Sequence, residues 1–198
     1  MKKSIAIAAL TAMMAIGAAA AAVAGENANY VAVYGGYSFQ NIQNFETLQK
    51  FVGPVSVDWD DSANIQVRAG HIFDPMTSIE FLVEYASFSE ENTTPGIEDD
   101  LSVLNIFYNA KLACSRYQQV KPYLVAGLGA MRVQEEITAT NGEYDDTEWG
   151  IGSRLGLGLD YWLNDTVSVG LEGAYSVGIG GLKKIRYTTM LVGVSYHF

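Results

Sequence analysis

Eight stretches of this chain alternate large apolar residues with small or polar ones at a period of two, and this restricts the fold more than any other feature. Successive side chains on a strand point to opposite faces, so such a period marks a strand with one oily face and one tight or wet face. The last stretch, YTTMLVGVSYHF (187–198), shows the pattern well. Thr188, Met190, Val192, Val194, Tyr196 and Phe198 form its mostly apolar set. Tyr187, Thr189, Leu191, Gly193, Ser195 and His197 form the other.

The same reading gives seven earlier strands. Val31, Val33, Tyr37 and Phe39 oppose Ala32, Gly36 and Ser38. Ile65, Val67 and Phe73 oppose Gln66, Arg68 and Gly70. Ile79, Phe81, Val83 and Tyr85 oppose Glu80 and Glu84. Leu104, Ile106, Tyr108 and Leu112 oppose Asn105, Asn109 and Lys111. Tyr123, Val125, Met131 and Val133 oppose Ala126, Ala130 and Arg132. Ile151, Leu155, Leu157, Leu159 and Tyr161 oppose Gly150, Gly152, Arg154, Gly156, Gly158 and Asp160. Val167, Val169, Leu171 and Tyr175 oppose Ser168, Gly170 and Glu172. These strands run roughly nine to thirteen residues, and a tilted strand needs about 9–11 to cross a bilayer. The strands of ordinary globular proteins have a mode of about 5–6.

The connections alternate as well. DPMTS (74–78), the stretch around 114–121 and WLNDT (162–166) are short, whereas 40–63, 88–101 and 135–148 are long and polar. Short turns at one end and long loops at the other are the layout of outer-membrane barrels. The expected fold is therefore all-β, an eight-stranded antiparallel up-and-down transmembrane barrel, with the long loops facing outward. A soluble barrel would point the apolar set inward instead. Two features favour lipid on physical grounds: an interleaved set rich in glycine and in charges of both signs, and aromatic residues gathered near strand ends.

Ahead of the first strand, MKK, an apolar run from Ser4 to about Ala20 and the small-residue site Ala22-Val23-Ala24 read as a secretory signal peptide. Residues 1–24 are expected to be removed, leaving residues 25–198 as one barrel domain. Without Lys2 and Lys3, 10 basic residues stand against 22 acidic ones, a net charge of −12. That excludes nucleic acid as a natural partner. A single cysteine, Cys114, can form no internal disulfide.

YVAVYGGYSF (30–39), KPYLVAGLGAMRV (121–133) and LVGVSYHF (191–198) resemble the small outer-membrane β-barrel family of opacity-like surface antigens and OmpA-type transmembrane domains. The resemblance spans essentially the whole mature chain. It implies a bacterial outer-membrane location and a role in surface contact, adhesion or envelope structure. It also implies that Tyr196 and Phe198 belong to a C-terminal signal read by the outer-membrane assembly machinery, which with the lipid bilayer is an expected partner. Ending at the eighth strand, the chain would lack the peptidoglycan-binding domain of full OmpA-like proteins.

Signs of catalysis are few. The nucleophile-elbow, zinc-protease, phosphate-loop and dinucleotide motifs are absent from the sequence, and nothing calls for a cofactor. The two histidines, His71 and His197, fall at the short-turn end, away from the outer leaflet where a lipid-modifying enzyme would need its base. The charged residues of the interleaved sets form the candidate site. Arg68, Lys111, Arg132, Arg154, Glu84, Asp160 and Glu172 are expected in the lumen, where unpaired charge would be costly. They would form a solid polar core, with a narrow channel for small solutes as the alternative. The outward segments hold 15 of the 22 acids against a single Lys50. DWDD (58–61), EDD (98–100) and EYDDTE (143–148) have oxygen ligands for Ca²⁺ or Mg²⁺ but lack the spacing of a known calcium loop, so a solvated surface is expected and no metal. NFETLQKFV (44–52) is expected to cap the barrel or touch a partner.

Overall fold

A computed structural model describes residues 28–40, 62–89, 97–114, 119–139, 142–182 and 185–198. Eight strands run in chain order: β1 (Asn29–Gln40), β2 (Ser62–Asp74), β3 (Thr77–Ser89), β4 (Ile97–Ala113), β5 (Val120–Ala139), β6 (Gly142–Trp162), β7 (Val167–Ile179) and β8 (Arg186–His197). Each pairs antiparallel with its sequence neighbours, and β1 closes on β8, so the sheet is a barrel with no open edge around its wall. At the seam Tyr30 faces His197 and Gln40 faces Tyr187. The signal-peptide reading and the NFETLQKFV and DWDD segments lie outside the described residues.

The short turns are built by side chains that replace missing backbone partners. Asp74 Oδ1 accepts the N–H groups of Met76 and Thr77 at 2.8 and 2.9 Å. Asn164 Oδ1 does the same for Thr166 and Val167 at 2.9 and 2.8 Å. These are Asx turns, which reverse the chain in very few residues. At the other end Gly180, with φ of 73°, turns the chain into a short 3-10 segment (Gly180–Leu182) between β7 and β8.

Five strands have the 12 or 13 residues the sequence suggests. β4, β5 and β6 are longer, at 17, 20 and 21 residues. Residues 97–101 and most of 135–148, read from sequence as loop, instead continue the ladder: Ile97 pairs with Ala139, which pairs with Gly142. Acidic residues are poor strand formers alone, but here a ladder already fixed by the barrel carries them onward.

On every strand but β5 the apolar set faces out. Val33, Leu155, Leu157, Leu171, Met190 and Val192 are all more than half exposed, as a lipid-facing surface requires. Inside, the lumen has two layers. The half nearer the long loops is apolar: Phe88, Leu101, Phe107, Met131, Leu182, Ile185 and the ring of Tyr187 form one buried cluster. The half nearer the short turns is polar and charged. The wholly polar core expected from sequence is thus only half of the lumen.

Candidate functional site

The lumen charges come from strands on all sides because inward positions recur every second residue. Arg68 (β2) reaches Glu172 (β7) through two parallel bonds, Nη1 to Oε2 and Nη2 to Oε1, each 2.7 Å. Arg154 (β6) donates Nη1 to Glu84 Oε2 at 2.7 Å and Nη2 to Glu172 Oε1. Glu172 also accepts the Tyr123 hydroxyl at 2.9 Å. Glu84 also accepts Asn105 Nδ2 at 3.0 Å, and Gln66 and the Tyr187 hydroxyl. Arg68 completes its valence on Gln66 Oε1 and stacks over the Tyr34 ring with its guanidinium carbon 4.0 Å from the centroid.

Nearer the short turns is a second group. Lys111 Nζ lies 2.7 Å from Asp160 Oδ2 and 3.8 Å from Glu80 Oε1, above the Tyr123 ring at 3.9 Å. Glu80 also accepts the Tyr30 hydroxyl at 2.6 Å. Three cations and four carboxylates are therefore interleaved, so each sits against opposite charge in a region that excludes water.

Of the seven charged residues expected inside, six are there: Arg68, Glu84, Lys111, Arg154, Asp160 and Glu172. Arg132 is not. In β5 it is Tyr123, Val125, Met131 and Val133 that face the lumen, while Leu124 and Leu128 are more than half exposed. The two faces of β5 are therefore the reverse of those expected from its sequence. Both of its faces are apolar, because its inward residues Met131 and Val133 line the apolar layer and Tyr123 serves as a hydrogen-bond donor. The signal in the sequence that marks the inward face is Gly129, on the same alternate set as Tyr123. A Cβ there would fall 1.9 Å from the Ile106 carbonyl oxygen. Arg132 instead stands on the lipid-facing side, over the Trp149 ring at 5.9 Å and bonded to Gln134 at 3.0 Å. Tyr123, expected on the lipid-facing set, turns inward and is buried.

Glu80 joins the network without having been singled out, although its alternation with Ile79 and Phe81 already put it on the inward set. Tyr196 faces out and stacks with Phe198, ring centroids 6.1 Å apart. His71 is exposed and bonds Asn29 at 2.9 Å. His197 is buried in the mouth, where Nε2 meets Ser168 Oγ at 3.1 Å. Among the described residues no group of three or more histidine, cysteine or acidic side chains is arranged to hold a metal ion.

The barrel matches known structures of the same build. Neisserial surface protein A (NspA) superposes with a TM-score of 0.59 at 17% identity, covering 88% of this chain and 100% of that one. Ail, the attachment invasion locus protein of Yersinia pestis, in complex with the heparin analogue sucrose octasulfate, gives 0.57 at 13%, covering 86% and 99%. OprG from Pseudomonas aeruginosa gives 0.52 at 16%, covering 88% and 98%. At such identities the likeness is one of fold. No curated protein matches the sequence. The model of the outer membrane protein beta-barrel domain matches residues 8–198, and the chain belongs to that family.

Proposed function

We propose that this is a non-enzymatic surface-contact protein of the bacterial outer membrane, exported with loss of residues 1–24 and inserted through a terminal strand that presents Tyr196 and Phe198. The observation that carries the reading is the overhang of β4, β5 and β6. β7 pairs with β6 only from Ile151↔Ile179 downward, whereas β5 pairs with β6 up to Ala139↔Gly142. Among the described residues, 142–150 of β6 thus keep one row of backbone donors and acceptors without a strand neighbour. An extended segment of a partner can add to such an edge, with main-chain bonds for affinity and side chains for choice. The sequence there, GEYDDTEWG, selects a basic partner. Ail was crystallised with a sulfated, anionic ligand; the acidic outward segments of this chain suit the opposite charge.

The packed apolar layer under the long-loop end argues against the narrow-channel alternative, since Phe107, Met131 and Leu182 fill the cross-section that a solute would need. The histidines argue against a lipid-modifying enzyme, because both sit at the short-turn end.

The test is adhesion of cells displaying the whole protein to an immobilised polylysine surface and to basic matrix proteins. It is compared with a variant whose β5–β6 hairpin is trimmed above Glu135 and Asp146. Loss of salt-sensitive adhesion, with the trimmed barrel still heat-modifiable on gels, is the expected result. Equal adhesion by both would end the reading.

A further inference from the structure

A cavity of about 90 Å³ opens inside the barrel mouth at the short-turn end, away from the overhang and against the Lys111–Asp160 group of the charge network. Three of its lining side chains keep a buried polar atom with no partner: Trp162 Nε1, His197 Nδ1 and Asp160 Oδ1. His197 and Asp160 are 5% and 8% exposed. Buried polar atoms in folded proteins are almost always satisfied by protein, water or ligand. Here several come together in a space large enough for a small group.

The charges lining the cavity decide what kind of group fits. Lys111 is committed to Asp160 at 2.7 Å, and Asp74 is committed to its own turn. Lys121 also lines the cavity. Its ammonium lies 4.4 Å from the centroid of the Trp162 ring, and it makes no ion pair among the described residues. An ammonium that carries no carboxylate among the described residues, beside an unpartnered indole N–H, is a donor pair for an oxyanion. The four charged lining residues, Lys111, Lys121, Asp74 and Asp160, cancel. The niche therefore suits a single negative charge held at the Lys121 end, and Asp160 repels a dianion.

We infer that the mouth of the barrel is a binding niche for a carboxylate, received by the Lys121 ammonium and the Trp162 indole N–H. The carboxylate comes either from a free small acid or from the C-terminus of a peptide on the short-turn side of the membrane.

The experiment is a titration of the full chain, ¹⁵N-labelled and refolded in detergent micelles in a carboxylate-free buffer, following the indole N–H resonances. The chain has three tryptophans, and Trp162→Phe assigns the relevant signal. The probes are sodium acetate, acetyl-Ala-Ala with a free carboxylate, its C-terminal amide, and inorganic phosphate. A saturable shift of the Trp162 signal with either carboxylate, but not with the amide, is expected. Lys121→Gln should weaken it at least tenfold, and Lys121→Arg should keep it. Tighter binding of the peptide identifies a chain terminus as the source; equal binding identifies small acids. Shifts that do not saturate, shifts equal for the amide or stronger for phosphate, or binding unchanged in Lys121→Gln would each overturn the inference.

Discussion

Arg68 and Glu172 meet across the lumen in a planar pair, both bonds 2.7 Å long, although they lie on β2 and β7. Glu172 also holds Arg154 and the Tyr123 hydroxyl, so one carboxylate serves three donors. Glu172→Gln would leave two buried arginines sharing the remaining acids. Breaking a buried pair from one side costs about 3–5 kcal/mol. The urea midpoint of the refolded variant should fall accordingly, with little change in slope. Tyr123→Phe removes a hydrogen bond to a charged group and should cost about 1.5–3 kcal/mol.

Two of the three arginines that sequence alone places in the lumen should behave oppositely. Arg154 is buried between Glu84 and Glu172, and Arg154→Leu should cost about 3–5 kcal/mol by leaving the buried Glu84 without a cation, while Glu172 keeps Arg68. Arg132 faces out beside Trp149. Near an interface, exchanging a cation for an apolar residue on the lipid side changes stability by about 0–1 kcal/mol, so Arg132→Leu should leave unfolding nearly unchanged. Equal losses for the two variants would restore Arg132 to the lumen.

Gly35 and Gly36 offer a neighbouring pair with opposite expectations. A Cβ on Gly36 would lie 2.0 Å from the Met190 carbonyl oxygen, in the backbone of β8, whereas one on Gly35 meets nothing nearer than 3.9 Å. Gly36→Ala should destabilise by about 1–3 kcal/mol through overpacking. Gly35→Ala should stay within about 0.5 kcal/mol. Parallel unfolding curves of the two variants check both.

Planar-bilayer recordings of the wild-type barrel should show no steady, reproducible channels, because the buried layer of Phe107, Met131 and Leu182 stands between the polar half of the lumen and the long-loop end. Reproducible unitary conductance at low voltage would mean that this layer moves aside.

The parity of β6 was readable because glycines and leucines fall on opposite sets with almost no exception. β5 was not, since its lumen face is built from Val125, Met131 and Val133, which look like lipid-facing residues when only hydropathy is read. Hydropathy assigns faces where lipid and polar lumen oppose each other, and fails where lipid and an apolar lumen do. Tyrosine compounds the difficulty. Tyr37 and Tyr161 are exposed on the outer face, while Tyr30, Tyr123 and Tyr187 turn inward and give their hydroxyls to Glu80, Glu172 and Glu84. One residue type thus serves both solvents. The partners within the lumen were legible as a set of opposite charges but not as pairs, because the pairing depends on register across strands that are distant in sequence. The extent of β4–β6 escaped for a related reason: their acidic ends have no strand propensity of their own.

The pairing of β1 with β8 has a kinetic consequence. Tyr30 and His197 come from opposite ends of the chain, yet they are neighbours at the seam. Hairpins between successive strands close short loops and can form early. The seam must close the longest loop in the molecule and is entropically the slowest contact to make. Until it forms, β1 and β8 both present bare strand edges that invite association with other chains. The vulnerable interval in the life of this protein is therefore the one before its last strand arrives, and a chaperone or insertase would be needed most during that wait.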